Sequence, residues 1–159
     1  MKKRLTHLDS DGTASMVDVG GKSPTRREAV ARARVKMSRE TLKLVEAVAL
    51  PKGDVLATAR IAGILAAKRT PELIPLTHPL ALSHIEIRFE FDRKRSAIDV
   101  LSTVRCEGKT GVEIEAMTAC SIAALTIYDM TKSAEKGIVI EEIALLEKRG
   151  GKGGEWRRE

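Results

Sequence analysis

The chain contains neither asparagine nor glutamine and has only four aromatic rings, Phe89, Phe91, Tyr128 and Trp156. So few rings argue against a single-strand nucleic-acid platform, which stacks successive bases on several aromatics. The two cysteines, Cys106 and Cys120, stand apart without a CxxC, and the three histidines at 7, 78 and 84 show no metal-ligand spacing. Neither a disulfide framework nor a zinc site is indicated. No apolar run approaches the roughly 20 residues needed to span a bilayer. The opening MKKRLTHLDSDG is basic but lacks the apolar segment that a secretory signal would place behind it. The expected setting is the cytoplasm. Charged residues make up 31% of the chain in place of the missing amides, a bias associated with proteins that work hot. A thermophilic source is therefore expected.

What is present suits one domain, residues 1–159, with a substantial core: 43% of the 159 residues are hydrophobic. The formal charge of +6 favours anionic partners. With aromatics so scarce, a phosphorylated small molecule fits better than nucleic acid, which is not expected as a partner.

Residues 108–132, GKTGVEIEAMTACSIAALTIYDMTK, organise the rest. Glu113 and Glu115 alternate with Val112 and Ile114, so an extended backbone would put both carboxylates on one face, whereas a helix would separate them. From Ala116 onward apolar residues surround a helix on most of its circumference, as in a helix covered by neighbours. At its end Asp129 and Lys132 lie three apart on one face. They form either a weak surface ion pair or part of a site. Glu115 and Asp129 are separated by about 21 Å of straight helix, too far for one small-molecule pocket within one copy. If both ends serve chemistry, a symmetric partner must bring them together, and an oligomer is expected.

Residues 1–28 read as a mobile polar arm with a short strand at Met16, Val17, Asp18 and Val19. The arm's Lys22, Arg26 and Arg27 either close over a phosphate or are simply solvated. An alternating strand is expected over 29–37. Ser38 is placed to cap a helix that stops by Pro51, and Asp54 to cap a second ending at Lys68 and Arg69. The helix dipole accounts for cations at that C-terminal end. It does not account for Lys52, just before a helix N-terminus, where a carboxylate or ligand would compensate. His78 lies among Pro71, Pro75 and Pro79 in a stiff segment, suited to a positioned side chain though also to a structural one. Residues 84–91 and 98–106 form the clearest hairpin. A strand follows Gly137, and the basic, glycine-rich tail from about 148 is expected to be mobile. Interspersed strands and helices without a regular βαβ repeat indicate α+β, an antiparallel sheet with helices on one face.

The segments KGDVLATARIAGILAAKRT, LIPLTHPL, GKTGVEIEAMTACSIAALTIYDMTK and GGKGG together resemble the MoaC family of molybdenum-cofactor biosynthesis, in order and over nearly the whole chain. The resemblance implies a ferredoxin-like α+β fold and a hexamer built as a trimer of dimers, with active sites at subunit interfaces. The implied activity is a lyase reaction on the 3′,8-cyclised dihydro derivative of GTP. Its purine part becomes a pyranopterin, a cyclic phosphate forms and pyrophosphate leaves, with no metal or cofactor required. By matching motifs, Asp129, Lys132, Lys52 and His78 are implied as catalytic residues. Leu76, Thr77, His78, Ile114 and Glu115 match substrate-binding segments, and Glu113 would line the same pocket. Lys22, Arg27, Lys68 and Lys148 are candidates to counter the triphosphate. Asp129 beside an ammonium would stay ionised, and a partly desolvated lysine would have its pKa lowered. Thr77 stands where the family commonly has Cys, and Ile114 where it commonly has Met. A shared pocket would be tested by mixing parents lacking Lys52 and Asp129. The competing readings are a non-catalytic basic module that binds nucleotides or RNA, marked by steep salt dependence, and a scaffold that only oligomerises.

Overall fold

The computed structural model describes residues 13–159. The first part of the expected arm, residues 1–12, lies outside them. The elements are β1 (Thr25–Lys36), α1 (Arg39–Glu46), α2 (Val55–Lys68), α3 (Thr70–Leu73), β2 (Leu82–Asp92), β3 (Ala97–Gly108), α4 (Glu113–Thr131), β4 (Val139–Arg149) and β5 (Trp156–Arg157). The strands form one antiparallel sheet in the order β2-β3-β1-β4-β5. With α4 packed on β1, β3 and β4, and α2 on α4 and β2, the fold is α+β and ferredoxin-like, as expected. No helix among the described residues is long and apolar enough to cross a membrane.

The alternation in β1 explains why α4 sits so close to the sheet. Ala29, Ala31, Ala33 and Val35 all face inward and are fully buried. They meet Ala116, Ala119, Cys120 and Ala123 of α4, also fully buried, so small side chains on both surfaces allow close approach. The opposite face of β1 is charged: Arg34 forms a two-pronged pair with Asp99 at 2.8 and 2.7 Å. α2 runs antiparallel to α4. Lys52, just before α2, reaches Asp129 near the end of α4, while Gly63 in mid-α2 lies against Ala119 and Ala123.

Both predicted caps form. Ser38 accepts from the Thr41 N–H at 3.2 Å, and Asp54 accepts from the Ala57 N–H at 2.9 Å. The hairpin pairs Phe89 with Val100 and Ile85 with Val104. Three expectations need correction. Residues 16–19 make no strand; Val17 and Val19 instead line a cavity. The arm ends sooner than expected, since β1 begins at Thr25. Of the two conformations left open for Glu113 and Glu115 the helix forms, in the first turn of α4. Unpaired N–H groups and the dipole favour carboxylates there, and four alternating residues were too few to distinguish a strand from a helix start. The tail, expected to be mobile, turns back so that β5 pairs with Glu147 and Lys148 of β4.

Candidate active site

The two ends of α4 hold two separate groups of polar side chains. At the N-terminal end is a cavity of about 460 Å³. Its apolar walls include Val17, Val19, Leu76, Leu80 and Ile114, and its polar lining includes Lys22, Thr77, His78, Thr110, Glu113 and Glu115. The loop before β2 supplies residues 76–78. Thr77 Oγ1 donates to the Ile74 carbonyl at 2.8 Å and closes that turn. His78 Nε2 lies 2.8 Å from the Val17 carbonyl oxygen. A carbonyl can only accept, so Nε2 carries the proton, and in the neutral ring Nδ1 keeps the free lone pair.

The two glutamates have different surroundings. Glu113 Oε1 accepts from Lys148 Nζ at 2.8 Å. Its carboxylate folds over Gly111, where a Cβ would come within 1.8 Å of Oε2, so a larger residue there would push the carboxylate aside. Glu115 is buried and makes no ion pair among the described residues. Burial pushes its carboxyl above the usual glutamate range, and the charge of Glu113 adds to the rise.

At the C-terminal end of α4 the environment is open. Residues 50–53 form a turn in which the Gly53 N–H donates to the Leu50 carbonyl at 3.0 Å. Pro51 presets its backbone, and Gly53 follows Lys52 with a φ of +86°. This turn brings Lys52 Nζ to the Asp129 carbonyl at 2.9 Å and to Asp129 Oδ2 at 3.2 Å. Lys132 Nζ donates to Oδ1 at 2.6 Å. The carboxylate that Lys52 lacked in sequence is therefore Asp129. Hydrogen bonds from Lys132 and then from Lys52 hold the Asp129 carboxyl below the ordinary aspartate range. Lys132 shifts upward through its bond to Asp129, contrary to the expected lowering of a lysine pKa. Its side chain is about half exposed, so an adjacent carboxylate outweighs desolvation.

The structure thus gathers Leu76, Thr77, His78, Glu113, Ile114, Glu115 and Lys22 at one end and Lys52, Asp129 and Lys132 at the other. Lys148 joins the first group through Glu113. Arg27 lies beside it in β1, donating to the Gly108 and Lys109 carbonyls at 3.4 Å each. Lys68 ends α2 exposed and lines no cavity described here. Sequence reasoning missed Thr110, Leu80 and the cavity-facing role of Val17 and Val19. The alternation of the two valines predicts a strand, whereas both line the cavity.

A walled cavity with a hydrogen-bonded imidazole, two carboxyls and flanking cations is a candidate site for a small, hydrogen-bonding molecule on an α+β scaffold. The chain belongs to the MoaC family, whose model matches residues 16–151. It is 60% identical over 154 residues to the cyclic pyranopterin monophosphate synthase of Chloroflexus aurantiacus (strain ATCC 29366 / DSM 635 / J-10-fl), covering 97% of this chain and 94% of the relative. The protein of the same name from Heliobacterium modesticaldum is 56% identical over 155 residues, 98% of each chain. That from Pelotomaculum thermopropionicum is 54% identical over 154 residues, 97% of this chain and 91% of the relative.

Proposed function

We propose that this chain is a lyase that makes cyclic pyranopterin monophosphate for molybdenum-cofactor biosynthesis. It acts on the 3′,8-cyclised dihydro-GTP derivative and releases pyrophosphate. The observation that carries this reading is the first cavity: residues 76–78, 113–115 and Lys22, far apart in sequence, meet around one space of about 460 Å³. They include the positions that the family resemblance assigns to the substrate. The apolar walls suit a fused-ring base, and the hydrogen-bonding groups suit its polar edges.

The catalytic site is completed by a second copy. Asp129, Lys52 and Lys132 lie about 21 Å along α4 from Glu115, so a two-fold partner with α4 antiparallel places its cluster at this copy's cavity. In support, Ile61, Leu65, Ile114 and Leu125 on α2 and α4 are all at least 40% exposed, an apolar surface suited to burial against another copy. Three such dimers form the hexamer, and the enzyme works in the cytoplasm.

Turnover tests the reaction directly: purified protein given the cyclised dihydro-GTP releases pyrophosphate and forms the cyclic pterin phosphate. A folded protein that does neither refutes it. The sharing of sites is tested by mixing inactive parents, but Lys52 and Asp129 form one cluster and cannot complement. The informative pair is Asp129→Ala with His78→Ala. Random reassortment makes half the dimers mixed, each with one intact site of two, so activity returns to about a quarter of wild type. A mixture as inactive as its parents would place the whole site within one chain.

A further inference from the structure

The arm before β1 touches both loops that frame the first cavity. On one side the Val17 carbonyl oxygen accepts the Nε2–H of His78 at 2.8 Å. On the other, Lys109 Nζ donates to the Gly20 carbonyl at 2.7 Å. His78 belongs to the loop before β2, and Lys109 to the loop that enters α4. Residues 17–20 therefore bridge the two loops. Val17 and Val19 line the cavity, whereas Asp18 and Gly20 between and after them are exposed.

So short a bridge transmits position only if its backbone is fixed between the anchors. Asp18 Oδ1 accepts from the Gly20 N–H at 2.7 Å, the turn an aspartate makes with the backbone two residues on. The Lys22 N–H donates to the Val19 carbonyl at 3.1 Å and closes the next turn. The base of the clamp is fixed as well. Gly108, the last residue of β3, pairs with Thr25 of β1, and Arg27 donates to the Gly108 and Lys109 carbonyls. Thr110 and Gly111 line the cavity but Lys109 does not, and among the described residues its ammonium makes no ion pair. That ammonium holds the arm.

We propose that Lys109 is a positioning residue for His78. By holding Gly20 it keeps the Val17 carbonyl on the imidazole, which fixes the ring's orientation and keeps the proton on Nε2, so that Nδ1 is the nitrogen left to accept. The value of this to turnover rests on the reaction proposed above; the clamp on the ring does not.

The test reads the clamp and the turnover separately on the full-length protein. An imidazole N–H held by a carbonyl exchanges slowly enough with water to be seen by NMR, whereas a free one does not. Protein carrying isotope-labelled histidine is expected to show the His78 Nε2–H resonance, assigned by its absence in His78→Ala. Lys109→Ala is expected to lose that resonance and to lower kcat about 10-fold with KM little changed, a smaller loss than removal of an acid–base group outright. Lys109→Arg can still donate to Gly20 and restores both. Lys94→Ala, removing an exposed lysine from the β2–β3 turn, changes neither. The proposal is overturned by a wild type without the resonance, by a resonance that survives in Lys109→Ala, or by equal changes in Lys94→Ala. It is also overturned by an unchanged kcat in Lys109→Ala, with a raised KM marking Lys109 as a substrate-binding cation instead. A protein that loses the resonance in Lys109→Ala yet never converts the cyclised nucleotide refutes the reaction and leaves the clamp standing.

Discussion

At the first turn of α4, Glu115 is 3% exposed and burial pushes its carboxyl upward. At the last turn Asp129 is about half exposed, and Lys132 and Lys52 hold its carboxyl down. One helix thus carries a carboxyl that favours its proton at one end and a carboxylate that gives its proton up at the other. Environments that push two acidic groups apart are how acid and base roles are divided. Here the division lies along about 21 Å of rigid helix, so on the shared-site arrangement proposed above it serves one substrate only when two copies meet. The same comparison explains why the ends look so different in an isolated chain. The N-terminal end is a walled cavity, whereas the C-terminal cluster lies on the surface.

The most severe test of that contrast is removal of the exposed carboxylate. Asp129→Ala is expected to lower kcat by about 10³-fold, within the range that general acid–base catalysis supplies. Its melting temperature should stay close to wild type because the lost ion pairs are solvent-exposed and weak. Measuring pyrophosphate release and a thermal melt on the same sample checks both. Near-normal turnover would reduce the cluster to an ordinary surface pair. The spacing of the ends is tested by Gly63→Val. A Cβ at Gly63 would lie 2.9 Å from the Ala119 carbonyl oxygen and 3.2 Å from both Ala123 Cβ and Ile87 Cδ1. The first obstacle is backbone and cannot swing aside, so the larger side chain is expected to cost about 2 kcal/mol or more in denaturant unfolding. Unchanged stability would mean that α2 and α4 can separate freely.

Much of the scaffold was legible because its signals are local. Ser38 and Asp54 precede their helices as caps, and the alternation in 84–91 and 29–37 survives as β2 and β1. The reading stayed open where a short pattern competed with an end effect. Val112 to Glu115 alternates like a strand but opens a helix, where the dipole favours the glutamates. The site was legible chiefly through the family resemblance. Charge reasoning did single out Lys52 as uncompensated, but its partner Asp129 is 77 residues away, and no spacing rule reaches that far.

The smallest effect isolates the buried end. A carboxyl whose pKa is raised on folding binds its proton more tightly in the native chain than in the unfolded one. Stability therefore falls as pH rises from the ordinary glutamate value of 4.5 through the raised native value. Glu115→Gln cannot lose a proton and keeps nearly the same shape, so it escapes this loss. Unfolding free energies of wild type and Glu115→Gln are expected to be close in mild acid. They should diverge as pH rises, with the variant the more stable, and the difference should level off once the native carboxyl has ionised. Asp129→Asn gives the opposite sign: a carboxylate held down by two lysines stabilises above its unfolded pKa and loses that contribution as pH falls. A flat difference for Glu115→Gln between pH 4 and 8, or a variant that weakens as pH rises, would show that the native chain keeps Glu115 solvated and that the two ends of α4 do not differ in kind.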